Sequence, residues 1–206
     1  MKPPDVPNQI EFRKGCKAFE EHEPRDAMYK VATFLIERFW RKPPDIADGL
    51  GVLLLTWNQA FYRYGMFDFE KLERCIRKHH KKLWYFRNRK INTLKDSDEN
   101  DIKAIFNDFL DALQIASGKS EGKKSPVAVA KALHLLAPEF FPLWDDKIAR
   151  KYSSYYGNRP DLKYISFSKK MRDLADKVKD YIPNSNKPLL KLIDEYNYAR
   201  YTQGWI

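Results

Sequence analysis

Glycine is scarce in this chain, with 8 in 206 residues. The prolines cluster between apolar segments instead of punctuating short strands. Few turn signals between long periodic segments argue against a β-rich fold and for helices. Two cysteines, Cys16 and Cys75, form no metal or redox motif and read as unpaired thiols. No apolar run approaches the roughly 18 residues of a membrane span, the longest being Gly49 to Thr56. The N-terminus, with Pro3, Pro4, Asp5 and Pro7, lacks a signal-peptide core, so a cytoplasmic protein is expected.

What is present is apolar material and positive charge. Hydrophobic residues make up 43% and aromatics 15%, enough for a core, which excludes general disorder. The net charge of +10 favours a polyanionic partner, nucleic acid first and an acidic protein or membrane surface after. Residues 1–24 read as a polar leader and 25–206 as one all-α domain of about eight or nine helices, with room for two lobes around a groove.

Periodicity places a helix from Arg25 to Trp40, stopped by Pro43 and Pro44. Asp45 is the expected N-cap of a second, central helix reaching Gly65, and Asp68 that of a third. Ser97 or Asp98 opens a helix carrying Ile102, Phe106 and Phe109. Residues 117–124 read as a flexible or phosphate-facing loop, and Ser125 with Pro126 is a strong helix start. The Pro-rich connector from Pro138 to Trp144 must bury Phe140, Phe141 or Trp144. Asp145 and Asp146 open a short helix, two amphipathic helices follow, and the tail is apolar enough to dock on the body.

Three constellations carry possible chemistry. Asn58, Gln59 and Arg63 follow Trp57 on a polar helix side and suit nucleic-acid contact, although a solvated helix face explains them as well. Residues 74–90 hold eight Lys or Arg among Trp84, Tyr85 and Phe86. Arg77, Lys78, Lys81 and Lys82 can share a solvent face that grips phosphate while aromatic rings accept bases. A solvated cationic helix is the equal alternative. His79 and His80 are adjacent and therefore diverge, so no metal site is expected. The third constellation joins Lys123, Lys124 and the Ser125 cap, a candidate anion site, to Asp145 and Asp146, which are candidate catalytic carboxylates or simple helix caps. His134 with Lys131 and an aspartate would suit a small-molecule enzyme, if His134 is not a satisfied core residue. Tyr155, Tyr156, Tyr198 and Tyr201 suit a protein interface or ordinary packing.

The run Val127-Ala128-Val129-Ala130 followed by Phe141-Pro142-Leu143-Trp144-Asp145 resembles the helix-hairpin-helix DNA glycosylase superfamily. Leu53-Leu54-Leu55-Thr56-Trp57-Asn58-Gln59 is similar to that family's central helix, and element order agrees over roughly residues 45–152. The resemblance implies base flipping and cleavage of a base–sugar bond, with Asp145, or else Asp146, as the catalytic carboxylate. DNA is the implied partner and no cofactor is needed. Lys123-Lys124-Ser125-Pro126 stands where the family has a Gly-rich turn. Ala128 stands where bifunctional members carry a lysine, with Lys124 and Lys131 nearby. A monofunctional glycosylase or an inactive binding relative is therefore implied over a lyase. The competing expectation is a non-enzymatic helical interaction or defence-related module.

Overall fold

The computed structural model describes residues 4–182 and 185–206. Pro3, part of the expected leader, lies outside them. The fold is all-α, with ten helices and one two-stranded bridge among the described residues. The helices are α1 (Gln9–His22), α2 (Ala27–Phe39), α3 (Pro43–Trp57), α4 (Gln59–Tyr62), α5 (Phe69–Arg87) and α6 (Glu99–Ala112), then α7 (Pro126–Leu136), α8 (Asp146–Lys151), α9 (Pro160–Val178) and α10 (Leu189–Asn197). A π-helical turn, Tyr198–Gln203, extends α10.

The expected polar leader contains α1. Asn8 and Glu11 form a reciprocal capping box, and Phe12, Cys16 and Phe19 are buried against α10. Its polar composition hid a narrow apolar stripe. The tail does dock: Trp205 stacks on His22 with ring centroids 4.0 Å apart.

Pro43 and Pro44 start α3 instead of stopping α2, because proline at the first helical positions removes only amides that have no intrahelical partner. Asp45 is consequently a first-turn residue and Lys42 the N-cap. The helix expected to reach Gly65 breaks at Asn58, whose backbone leaves helical geometry at φ −117° and ψ 32°. Nor is α3 the centre of the domain, since Val52 on it is exposed. That place belongs to α7, in which Ala128 to Ala130 and Ala132 to Leu136 are all buried, packed against α2, α3 and α6.

Asp68 and Ser125 cap α5 and α7 as expected, each oxygen accepting helix amides. Before α6, Asp98 makes no side-chain cap and instead takes Arg89 at 2.8 Å. The 117–124 loop is tied down. Gly65 and Met66 (β1) pair antiparallel with Ser117 and Gly118 (β2), and Ile115 N–H donates to Lys123 O at 2.9 Å. Gly118 has φ +101°, and a Cβ there would lie 2.3 Å from Tyr64 O, so the bridge requires glycine. The connector buries Phe140, Phe141 and Trp144 together, with Trp144 among Phe106, Tyr156, Tyr164 and Phe167. No helix of the described residues is long and apolar enough to cross a membrane.

Candidate functional site

A cavity of about 480 Å³ opens where the end of α1, the start of α2, the end of α3, α7, the Leu143–Asp145 connector and α10 converge. That volume suits a small ring-containing ligand. Phe19, Trp57 and Trp144 supply aromatic wall, and Asp26, Lys131, Asp145, Lys191 and Asp194 supply charge.

Each charged group is held differently. Asp145 is the N-cap of α8: Ile148 N–H donates to one carboxylate oxygen at 2.6 Å and the Thr202 hydroxyl to the other at 2.8 Å. Both carboxylate oxygens are thereby held. Lys131, on α7, donates to Trp57 O at 2.9 Å and Asn58 Oδ1 at 3.3 Å, with Nζ 4.6 Å from the centre of the Trp57 ring. The break at Asn58 supplies the first of these acceptors, because a helix end leaves backbone carbonyls unpaired, and the Asn58 side chain supplies the second. Burial brings Lys131 down to about 8, against the opposing pull of Asp194 and Asp145.

Asp194, on α10, has no hydrogen-bond donor among the described residues. Burial pushes its carboxyl up to about 7, opposed by Lys191 and reinforced by Asp145 and Glu195. A carboxyl that titrates near neutrality and has no protein donor is available to a ligand. Behind it, Lys191 is 2% exposed and pairs with Asp26 at 3.1 Å and Glu195 at 3.7 Å. Its Nζ also lies over Phe19 and Tyr29 at 4.4 and 4.7 Å. Asp26 adopts left-handed backbone, φ 39° and ψ 45°, an uncommon geometry for a non-glycine residue, at the cavity edge.

The structure separates the two adjacent aspartates. Asp145 lines the cavity, whereas Asp146 pairs with Arg150 at 3.0 Å and accepts from Tyr156 at 3.2 Å on the outer side of α8. Arg150 also lies over the Tyr155 ring at 3.8 Å, and Tyr155 stacks on Tyr156. His134 does not line the cavity. Its Nδ1–H donates to Phe141 O at 2.8 Å, which leaves Nε2 to accept from the Tyr29 hydroxyl at 3.1 Å. Burial drives it down to about 3, so it is a neutral, satisfied core residue and not a partner for Lys131 in catalysis.

The expected nucleic-acid residues fall in three places. Asn58 joins the cavity cluster through Lys131 and also donates to Ser125 Oγ at 3.3 Å, while Ser125 itself is buried. Gln59 and Arg63 are exposed on and after α4, and Lys123 is exposed before α7. Lys124 pairs with Asp111 of α6. The four cations of α5 do not share one free face. Lys78 and Lys82 turn to Asp108 and Asp101 of α6 at 2.6 and 2.5 Å, while Arg77 and Lys81 point outward, Arg77 paired with Glu73. His79 also contacts Asp108, and His80 contacts Trp40 O, in keeping with their divergence. Among the described residues no group of histidine, cysteine or carboxylate side chains is arranged to hold a metal ion. Burial raises both thiols to about 12, which makes them unreactive.

Sequence reasoning missed Asp194, Lys191 and Asp26. Lys191 and Glu195 have the i,i+4 spacing of an ordinary surface pair, and nothing in the pattern announces that α10 is buried nearly all round. Compared with models of protein families, with curated proteins and with solved structures, the chain matches none of them.

Proposed function

We propose that this protein binds nucleic acid, DNA in the first instance, and cleaves a base from its sugar inside the α7–α10 cavity. The observation that carries the reading is the gathering of Asp145, Asp194 and Lys131 in one aromatic-walled cavity of a size suited to an extruded base. The net charge of +10 supplies the attraction for a polyanion.

In such a reaction the bond between the sugar carbon and the base nitrogen breaks and its electron pair leaves with the base. Water adds to the sugar carbon and loses a proton, and the departing base gains one. Asp145, fixed by Ile148 N–H and Thr202, faces the positive charge that develops on the sugar. Asp194, raised to about 7, is the group able to give or take the proton near neutral pH. Lys131 holds the Trp57 end of the wall and does not act as a nucleophile in this scheme.

The test is incubation with single-stranded and duplex oligonucleotides bearing normal, deaminated and alkylated bases, with released base quantified by chromatography. Asp145→Asn is expected to reduce release by about 10²-fold or more, and Asp146→Asn to leave it unchanged. No base release, together with no salt-dependent binding, would remove the reading. A protein-interaction module would then lead, favoured by the exposed Val31 and Phe34 on α2.

A further inference from the structure

The outer face of α5 carries a surface that the cavity does not use. Taking 100° per residue, Arg77, Lys81, Trp84, Tyr85 and Asn88 fall within one sector of the helix, and all are exposed. The sector beside it holds Lys78 and Lys82, which are bound to α6 carboxylates. The sector on the other side holds His80 and Arg87, which meet Trp40 at the end of α2.

Trp84 is the notable member. It is 50% exposed although it sits on a well-packed helix. Its ring centroid lies 6.0 Å from that of Trp40, at 34° between planes, so packing from below orients the indole. Trp40 is in turn fixed by His80 donating to its carbonyl at 3.0 Å and by Arg87 at 4.5 Å over its ring. Lys81, one turn before Trp84, has no carboxylate partner among the described residues, and exposed Arg41 follows Trp40 directly. Among the described residues Arg77 pairs with Glu73 alone, on its own helix, in a solvent-exposed ion pair weak enough to yield to phosphate.

We infer that this face is a stacking platform for an unpaired base of a single-stranded nucleic acid, with Trp84 as the ring and Lys81 and Arg41 as phosphate contacts. The inference rests on the nucleic-acid reading above and deepens it. An oriented, half-exposed indole beside cations matches what single strands use: a π-face for the base and positive charge for the backbone. A fully stacked duplex offers no base face to such a ring. The platform is separate from the cavity, since α2 runs from Asp26 at the cavity edge to Trp40 beside Trp84. That is about 20 Å at 1.5 Å per residue.

Binding of a fluorescent thymidine oligonucleotide and of a duplex of equal length, measured by anisotropy at 50 mM salt, tests this. Trp84→Ala is expected to weaken single-strand binding by about 10- to 100-fold and duplex binding by less than threefold. Lys81→Ala should weaken both and lower the salt dependence by roughly one ion. Tryptophan emission should be quenched by the single strand in wild type, and the quenching should be lost in Trp84→Phe. If wild type binds single strands but Trp84→Ala binds them equally well, the platform is wrong while the nucleic-acid reading stands. If wild type binds neither nucleic acid, both fall. Circular dichroism of each variant confirms that the fold is retained.

Discussion

Two groups of charges in this molecule use the same residue types to opposite effect. On the α5–α6 surface, Lys78 meets Asp108 and Lys82 meets Asp101, each pair substantially open to water. Around the cavity, Lys191 and Glu195 are buried, Lys131, Asp26 and Asp194 are half-buried, and the five do not pair off one to one. Solvent screens the first group, in which the hydrogen bond to Asp108 raises Lys78. In the second group desolvation dominates, pulling a lysine down to about 8 and a carboxyl up to about 7. Positive charge was the conspicuous property of the sequence, but the perturbed chemistry lies where lysines and carboxylates are mixed and partly buried.

The largest effect expected from breaking this contrast is at Lys191. Lys191→Ala removes the countercharge of Asp26 and part of that of Glu195 in a buried setting, and should cost about 3–5 kcal/mol in urea unfolding. Glu195 retains Lys187 at 2.9 Å, which places the expected loss toward the lower end. A loss under about 1 kcal/mol would mean that water reaches this cluster.

The next effects are in pH dependence, and they run in opposite senses. Asp194 has its folded value raised, so its contribution to stability is intact below about 4 and is lost as pH rises through about 7. Asp194→Asn should therefore match wild type at pH 3.5 and exceed it at pH 8, with the difference growing across that window. Lys131 has its folded value lowered to about 8, so its charged form opposes folding most below pH 8 and not at all above 10.5. Any advantage of Lys131→Met should shrink between those limits. Thermal unfolding across pH measures both, and parallel curves for wild type and variant would show that the groups are not desolvated.

The same contrast explains what the sequence made legible. Helix identity followed from periodicity and caps, as at Asp68, Ser125 and Asp145, because those signals are local. Pro43 and Pro44 misled because proline both ends one helix and begins the next, and only context decides which. The connector leading into a helix pointed to the Asp145–Asp146 pair, and only the family resemblance preferred Asp145; its place in the cavity wall depends on how α8 packs. Asp194 could not be singled out: the groups that share its cavity come from α1, α2 and α7, each more than 50 residues from α10 in the chain. The separation of Lys78 and Lys82 from Arg77 and Lys81 likewise depended on where α6 packs, which a helical wheel of α5 cannot supply.

The smallest effect is expected on the surface group, and it is the sharpest control on the comparison. Lys82→Ala removes one partner of an exposed pair in which both side chains are nearly half open to solvent. Such pairs contribute about 0–1 kcal/mol, and the other partner, Asp101, is simply rehydrated. Urea unfolding at low salt should show a loss within that range, falling toward zero at 1 M salt, where the Debye length is about 3 Å. The cavity variant Lys191→Ala, measured alongside, should keep most of its loss at the same salt, because ions do not enter a buried cluster to screen it. If both losses collapse with salt, the cavity charges are solvated like those of α5, and the case for Asp194 and Lys131 as chemically distinct groups collapses with them.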